Sequence, residues 1–549
     1  MQCRRPTPPT DGNFTDRHEE GNAPRVCGVL TNMTAITRRS ALTLTGGGLL
    51  VALSGCNSSQ PAATSTAAGR ATSTATTSGT TTTPPSGSSS ASARGSASSS
   101  AAVRKPTTQD WVDFAHTVKG PVDLPGSGPY NRTKLIFDTR YDGNKPAAVM
   151  VVERTADVAR AMRFAAQHGL QIAPRGGGHS YVGASAANGT LVLDMRSLDA
   201  VGYRASDRTV AVGTGATLYA VKKYLASRGR GIPTGTCPTV GVAGLTLGGG
   251  LGVESRAHGL TADRLTAAQL VLPDGRTVTA DAKHNTDIFW ALRGGGGGNL
   301  GLVTSMRFAT HATGDQGIFT LTFPGNSAVR VMTGWANWIR TATRSRWAGV
   351  HIDAASGGNL HVSILGVTES GDERAAAASL LTAVGVTPTA TKYQRFGYLD
   401  AAIYLGGGTT SQRQGFTAGS DVLSSVTAAA ASAIEAAVVA RSRTGLPGSA
   451  LLDPLTGAVS DPGSAATAFP WRDHVASIQW YAGGTAYSAA HSWIADAHRR
   501  LGSHSAGGYV NYLETGQPAK RYYAGNLSRL ARIRHHYDPA RRLHSGLAV

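Results

Sequence analysis

Apolar positions along most of this chain fall into short runs rather than long helical stripes. Residues 147–152 read Ala-Ala-Val-Met-Val-Val, a continuous apolar run that predicts a strand buried on both faces. Thr155-Ala156-Asp157 then offers a helix cap, and residues 158–168 carry apolar side chains at helical spacing. Short strands are predicted at 171–174, 191–195 and 209–213, and a helix at 218–229 that stops at a glycine. From residue 317 the texture changes. Strands at 318–323, 347–352 and 359–365 alternate with Ala-rich helices at 375–384 and 426–440. A further strand is predicted at 476–481, then a helix, then residues 508–512, where strand alternation puts Tyr509 and Tyr512 on opposite faces. The order predicts an α+β chain: strand-helix-strand units with glycine loops at strand ends, then an antiparallel sheet backed by helices.

The amino-terminal residues do not belong to either unit. Thr37-Arg38-Arg39-Ser40-Ala41-Leu42 is a twin-arginine pattern followed by an apolar run to residue 53. That run is too short for a permanent membrane span and ends Leu53-Ser54-Gly55-Cys56, a lipobox in which Cys56 is the lipidated residue. Met33 starts an ordinary signal length, so residues 1–32 read as an extension outside the translated protein. Residues 57–104 are almost entirely Ser, Thr, Ala, Gly and Pro, a composition that cannot offset chain entropy by burial and predicts a disordered tether. The expectation is an exported protein, lipid-anchored at Cys56 on the cell surface or periplasmic side, whose only membrane partner is that anchor.

Charge and cysteines narrow the picture. The 549 residues carry 52 Lys+Arg and 33 Asp+Glu, a formal charge of +19. Residues 1–104 contribute +5 from nine basic and four acidic residues, which leaves +14 on the folded part. Those basic residues are scattered and show no aromatic-and-basic stripe, so nucleic acid is excluded as a partner. No metal site is read. Of four cysteines only Cys237 lies beyond the amino-terminal segment, which predicts a solitary thiol without an intramolecular disulfide.

The candidate chemistry sits in glycine loops. Pro174-Arg175-Gly176-Gly177-Gly178-His179-Ser180 lets backbone N–H groups approach a diphosphate without a Cβ in the way. It is not a Rossmann fingerprint, because the glycines are contiguous and no helix starts after them. A second loop, Gly235-Thr236-Cys237-Pro238-Thr239-Val240-Gly241, leads into a glycine-rich stretch to residue 252, expected as loop. A third, Arg293-Gly294-Gly295-Gly296-Gly297-Gly298-Asn299, is followed at once by a strand.

Taken in order, residues 174–181, 191–198, 235–252 and 293–304 resemble the vanillyl-alcohol-oxidase class of flavoproteins with a PCMH-type FAD domain. The berberine-bridge-enzyme-like branch fits best. The resemblance implies a two-subdomain FAD-binding domain at 105–316, a substrate domain at 317–470 and a C-terminal segment at 471–549 that returns to the FAD domain. It implies that His179 bonds the flavin 8α-methyl and Cys237 bonds flavin C6. Arg175, Gly176, Gly177, Gly178, Ser180, Gly235, Thr236, Val240, Gly241, Gly244, Gly248, Val303, Tyr523 and Asn526 are the matching cofactor contacts. Tyr512 matches the base, Gln479 an orienting residue, and Tyr509 is the rival base. A tyrosine serves as base only where neighbours lower its pKa from near 10. Where the plant branch has a second active-site tyrosine this chain has Leu251, which puts a paired-tyrosine network in doubt. Val240 resembles the oxygen-reactive members, which favours an oxidase over a dehydrogenase.

The leading expectation is therefore an FAD oxidase that takes hydride from a hydroxyl of a sugar, oligosaccharide or glycosylated compound and passes electrons to O2. Two readings stay open beside it: an oxidative cyclase or dehydrogenase of secondary metabolism, and a surface flavoprotein whose flavin is structural.

Overall fold

A computed structural model describes residues 104–547 and 549. The twin-arginine pattern, the Cys56 lipobox and the tether through residue 103 lie outside the described residues. Among the described residues no helix is long and apolar enough to cross a membrane.

The first apolar run forms the strand Ala148–Val151, parallel to Leu191–Asp194, which is parallel to Ile172–Arg175. Val122–Asp123 completes this sheet on the other edge. The helix Thr155–His168 lays Val158, Ala161, Met162 and Ala165 on the sheet, the 3–4 spacing of an amphipathic helix. It begins at Thr155 rather than at 158, because Arg154 and not Asp157 takes the N-cap position. It closes at Gly169, whose φ of 62° is the left-handed conformation that ends helices. Each of the three parallel strands is only four residues long. The strand Ile172–Arg175 delivers the chain directly into the His179 loop.

A second sheet of five antiparallel strands follows, in the order Val201–Arg204, Thr209–Gly213, Leu302–Ala309, Leu265–Val271 and Thr277–Asp281. The stretch 241–252 differs from the expected loop: it contains a helix, Val242–Leu247, with Gly241 at its N-cap. Val242, Ala243, Thr246 and Leu247 recur at helical spacing and are all buried, which outweighs the glycine content around them.

The third sheet has seven antiparallel strands, in the order Ala390–Phe396, Gln316–Phe323, Leu360–Glu369, Trp347–Ala354, Ser449–Pro454, Ala476–Gly483 and Phe416–Leu423. The strand Ala476–Gly483 thus pairs on both sides within this sheet, although the sequence assigns it to the C-terminal segment. Period-2 alternation splits each strand between two faces. Val350, Ile352, Ala450, Leu452, Ile478 and Trp480 enter a core against the helices Ala328–Thr341, Glu373–Val384, Ala428–Arg443 and Tyr487–Leu501. Leu451, Asp453, Gln479 and Phe416 belong to the opposite face.

The C-terminal segment then crosses back. Residues 508–512 are not a strand; Val510–Tyr512 is a single 3₁₀ turn. The tail docks on the edge of the parallel sheet, with Ile172 N donating to Arg542 O (2.7 Å) and His544 N to Ile172 O (2.8 Å).

A buried charge network ties this segment to the seven-stranded sheet. His498 lies between Asp421 (Nδ1 to Oδ2, 2.7 Å) and Glu514 (Nε2 to Oε2, 2.8 Å), and Arg521 also donates to Asp421 (2.7 Å). Burial works against the imidazolium, but the two carboxylates outweigh it and raise His498 to about 9. A raised folded-state pKa stabilises the fold below the unfolded value of 6.5, and that contribution is lost as pH climbs through about 9. The unfolding temperature should accordingly fall between pH 6.5 and 9, by an amount worth on the order of 1–3 kcal/mol. In His498→Gln that pH-dependent part should vanish; an identical slope in wild type and variant would refute the assignment.

Candidate functional site

Two loops are joined backbone to backbone. A Cβ on Gly177 would stand 2.2 Å from Gly241 N and 2.8 Å from Gly241 Cα, and a Cβ on Gly241 would stand 2.2 Å from Gly177 N. No side chain fits at either position. The contact brings His179 and Cys237 onto one residue: His179 Nε2 is 3.0 Å from Thr239 Oγ1, and Cys237 Sγ is 3.9 Å from the same oxygen. The His179 ring stacks on Phe137, with centroids 4.1 Å apart and planes at 20°. Burial holds His179 neutral, with its pKa lowered to about 3. Cys237 is 5 % exposed and lies 3.6 Å from Ser411 Oγ. Against the expectation of a solitary thiol, Cys237 is disulfide-bonded, and the chain's other cysteines lie outside the described residues. A bond to flavin C6 needs the thiolate, so that disulfide and the flavin bond are alternatives at one sulfur.

The two loops form one end of a long cleft. Gly176, Gly177, Gly178, Ser180, Gly235, Thr236, Val240, Gly241 and Gly244 line it, and it runs to Gly296, Asn299 and Tyr523. The donor set fits an elongated dinucleotide. A methyl placed on Gly244 would meet nothing within 4 Å among the described residues outside its own helix, so its bare backbone leaves the cleft wall open. Asn299 Oδ1 and Ser185 Oγ, both buried cleft residues, have no hydrogen-bond partner among the described residues. Tyr523 lines the cleft with its hydroxyl donating to Gly295 O (2.8 Å).

Four expected contacts are placed elsewhere. Arg175 turns into the wall, where it donates to Thr133 O (2.6 Å) and pairs with Asp194 (3.2 Å). Its role is to hold the strand end, not the cofactor. Gly248 packs on Asn511, whose Oδ1 would lie 2.0 Å from a Cβ there. Val303 is a core residue of the five-stranded sheet. Asn526 donates to Ser464 O (2.7 Å) and Thr467 O (3.1 Å), tying two loops together.

The open face of the seven-stranded sheet roofs the His179 and Cys237 end. Phe416, Asp453, Gln479 and Trp347 line the cleft from that side, together with Tyr181, Tyr509, Tyr512 and Leu251. Gln479 Nε2 donates to Tyr181 Oη (2.7 Å). Tyr512 stacks on Tyr181 (5.5 Å, 13°) and meets Tyr509 edge-on (5.0 Å, 81°). The two tyrosines therefore share one cavity instead of opposite faces, because the 3₁₀ turn breaks strand alternation. Tyr509 Oη accepts from Gly250 N (2.8 Å) and Asn511 Nδ2 (2.7 Å), and burial pushes its pKa up to about 12. It ties the glycine turn rather than acting as a base.

Among the described residues no cation lowers Tyr512 either. Burial first, then the charge of Asp453 and the two neighbouring tyrosines, hold its pKa well above 10. Asp453 is the residue that sequence reasoning missed. Burial raises its carboxyl to about 7, and it shares its sheet face with Leu451. One signal was readable: a lone carboxylate inside the apolar run Ala450-Leu451-Leu452-Asp453-Pro454. Elsewhere Glu254, His258 and His311 bring ligand-type atoms within 4.8 Å of one another. Glu254 is held there by His311 Nε2 (2.9 Å) and Tyr398 Oη (3.1 Å), with buried Lys222 acting on its charge.

Comparison with known proteins agrees with this geometry. Residues 146–281 match the family described as FAD binding domain, and residues 508–545 match the family described as berberine and berberine like. Residues 146–281 thus form an FAD-binding domain, and the two matches together make the chain similar to the berberine-bridge-like FAD-linked oxidoreductases. It is 27 % identical over 405 residues to the uncharacterized FAD-linked oxidoreductase YgaK of Bacillus subtilis, covering 72 % of this chain and 89 % of that protein. It is also 27 % identical over 469 residues to a carbohydrate oxidase of Microdochium nivale, covering 78 % and 92 %. A solved glucooligosaccharide oxidase of Acremonium strictum, described as revealing a novel flavinylation, superposes with a TM-score of 0.73 at 25 % identity over 80 % of this chain and 98 % of that one. The chain is an FAD-binding protein, and its fold is the α+β arrangement of an FAD domain and an antiparallel sheet backed by helices.

The loop contact yields a direct test. Gly177→Ala drives a methyl against Gly241 N, an overpacking costing about 1–3 kcal/mol or more, and should abolish FAD retention. Gly202→Ala, where a Cβ meets nothing within 4 Å among the described residues, should retain FAD fully. Absorbance of bound flavin in the purified variants reads the outcome, and equal flavin content in both would refute the contact's role.

Proposed function

We propose that this flavoprotein is an exported FAD oxidase that takes hydride from a hydroxyl-bearing carbon of a sugar or oligosaccharide and passes the electrons to O2. The observation that carries this reading is the polar cluster in which Asp453 and Gln479 of the open sheet face meet Tyr181, beside the His179 loop, and Tyr512 of the C-terminal segment at the His179 and Cys237 end of the cleft. The relatives support the substrate class: they include carbohydrate, chitooligosaccharide, glucooligosaccharide and xylooligosaccharide oxidases.

FAD would be held by Gly176–Gly178, Gly235, Gly241 and Gly244 through backbone groups and by covalent bonds from His179 and Cys237. The glucooligosaccharide oxidase of A. strictum is described as carrying a 6-S-cysteinyl, 8α-N1-histidyl FAD, which supports two bonds here. The flavin supplies hydride acceptance at N5 and reoxidation by O2. The chain's residues do the rest. Gln479 and Tyr181, already bonded to each other, orient the sugar hydroxyl. Asp453 receives the hydroxyl proton, directly or through the Tyr512 hydroxyl, because a carboxyl near pKa 7 matches its task at neutral pH. Phe416 and Trp347 keep that end apolar, which strengthens each polar contact within it. Val240 lines the same cleft and would govern the access of O2 to the flavin. The twin-arginine pattern and the lipobox at Cys56 support an activity outside the cytoplasm.

Two measurements test the reading. A panel of sugars and oligosaccharides should bleach the flavin anaerobically and release peroxide in air; a flavin that no sugar bleaches would refute it. The bleaching rate should rise as pH rises through about 7 and then level, since Asp453 accepts a proton only when ionised. Asp453→Asn should lose that pH step and slow bleaching about 10²- to 10⁴-fold, and Tyr512→Phe should slow it with the flavin still bound. An unchanged rate and pH step in Asp453→Asn would remove the carboxylate from the mechanism.

A further inference from the structure

Thr239 is the one described residue whose side chain reaches both proposed attachment points, 3.0 Å from His179 Nε2 and 3.9 Å from Cys237 Sγ. Its placement follows from the loop contact. The Thr239 carbonyl sits 3.0 Å from where a Gly177 Cβ would stand, so the glycine pair presses Thr239 against the His179 loop. Phe137 fixes the plane of the imidazole by stacking on it. Nδ1 makes no hydrogen bond among the described residues, so Thr239 is the partner that chooses between the tautomers. Only the tautomer with its N–H at Nε2 leaves Nδ1 with a lone pair, and Thr239 Oγ1 stands where it can accept from that N–H. Burial keeps the ring neutral, so it carries one proton and not two.

We propose that Thr239 is the positioning residue for the histidyl–flavin bond: its hydroxyl accepts the Nε2 proton of His179 and leaves Nδ1 as the nucleophilic nitrogen toward the flavin 8α-methyl carbon. This rests on the reading that His179 is an attachment point. In the step a bond forms between Nδ1 and the 8α carbon, and one C–H bond of the methyl breaks. Two electrons enter the isoalloxazine and are removed by O2. The methyl proton and the Nε2 proton both end in hydrogen peroxide, so the sum is imidazole plus flavin plus O2 giving the substituted flavin and peroxide. The Nε2 proton has to leave as Nδ1 becomes substituted, and the Thr239 hydroxyl, which accepts its hydrogen bond, is the first group on its way to peroxide. An imidazole in the other tautomer presents an N–H where the lone pair is needed.

The test isolates the histidyl bond in a Cys237→Ala background, where it is the only covalent link. Cys237→Ala, Cys237→Ala/Thr239→Val and Cys237→Ala/Thr239→Ser proteins are mixed with FAD in air. Covalent flavin is followed over time as fluorescence that stays with the denatured polypeptide, and bound FAD before denaturation is read by absorbance. Thr239→Val keeps the branched shape without the hydroxyl. It should bind FAD to the same extent but form the covalent bond about ten- to a hundredfold more slowly, the range for losing the partner that orients an imidazole. Thr239→Ser should restore the rate. Covalent attachment in the Val variant at the rate of its parent overturns the proposal, as does a Ser variant as slow as Val. Absence of covalent flavin in Cys237→Ala itself overturns the histidyl attachment, and Thr239's role with it, which separates that failure from the other two.

Discussion

Gly177 and Gly241 meet so closely that neither tolerates a Cβ, and everything at the reactive end of the cleft follows from that approach. One loop ends the strand Ile172–Arg175; the other precedes the helix Val242–Leu247. Where they touch, His179, Thr239 and Cys237 gather on a single hydroxyl. The surrounding anchors serve the same purpose. Arg175 pins its strand end to Asp194 and the carbonyls of residues 133–135, so the loop leaves the sheet in a fixed direction. Val242 N bonds Ala216 O, and Leu218 N bonds Val240 O, which holds the second loop against the helix Leu218–Ala226.

The opposite wall obeys a different rule. On a sheet, alternate residues face opposite ways, so one face of Ser449–Pro454 and Ala476–Gly483 can build a core while the other builds a site. Ala450, Leu452, Ile478 and Trp480 do the first, and Leu451, Asp453 and Gln479 do the second. Asp453 remains a carboxyl near neutrality because that site is enclosed. Tyr512 arrives from the C-terminal segment, which the Asp421–His498–Glu514 network fastens to the neighbouring strand and helix. Charge deep in the fold thus sets where a neutral tyrosine stands.

What was legible in the sequence was local. Glycine triplets beside a histidine and a cysteine are short-range patterns, and the loops they form are where they were expected. The antiparallel sheet and its Ala-rich helices were readable from periodicity. What failed depended on long-range packing. Arg175, Gly248, Val303 and Asn526 sit in the right motifs, but their side chains or their space are taken by Asp194, Asn511, the sheet core and the 464–467 carbonyls. Tyr509 and Tyr512 were separated by an alternation that a 3₁₀ turn cancels. Asp453 showed only as a lone carboxylate in an apolar run, because its significance lies in which face of a central strand it occupies, and register is not a local property.

Two loops far apart in sequence are held together, and in the proposed enzyme one flavin bridges them. Digestion of the purified protein, followed by mass analysis of its flavin-bearing peptides, reads that bridge itself. The expected result is a single species in which one FAD joins the peptide containing His179 to the peptide containing Cys237. Recovery of both peptides unmodified, with free FAD in the supernatant, would contradict it.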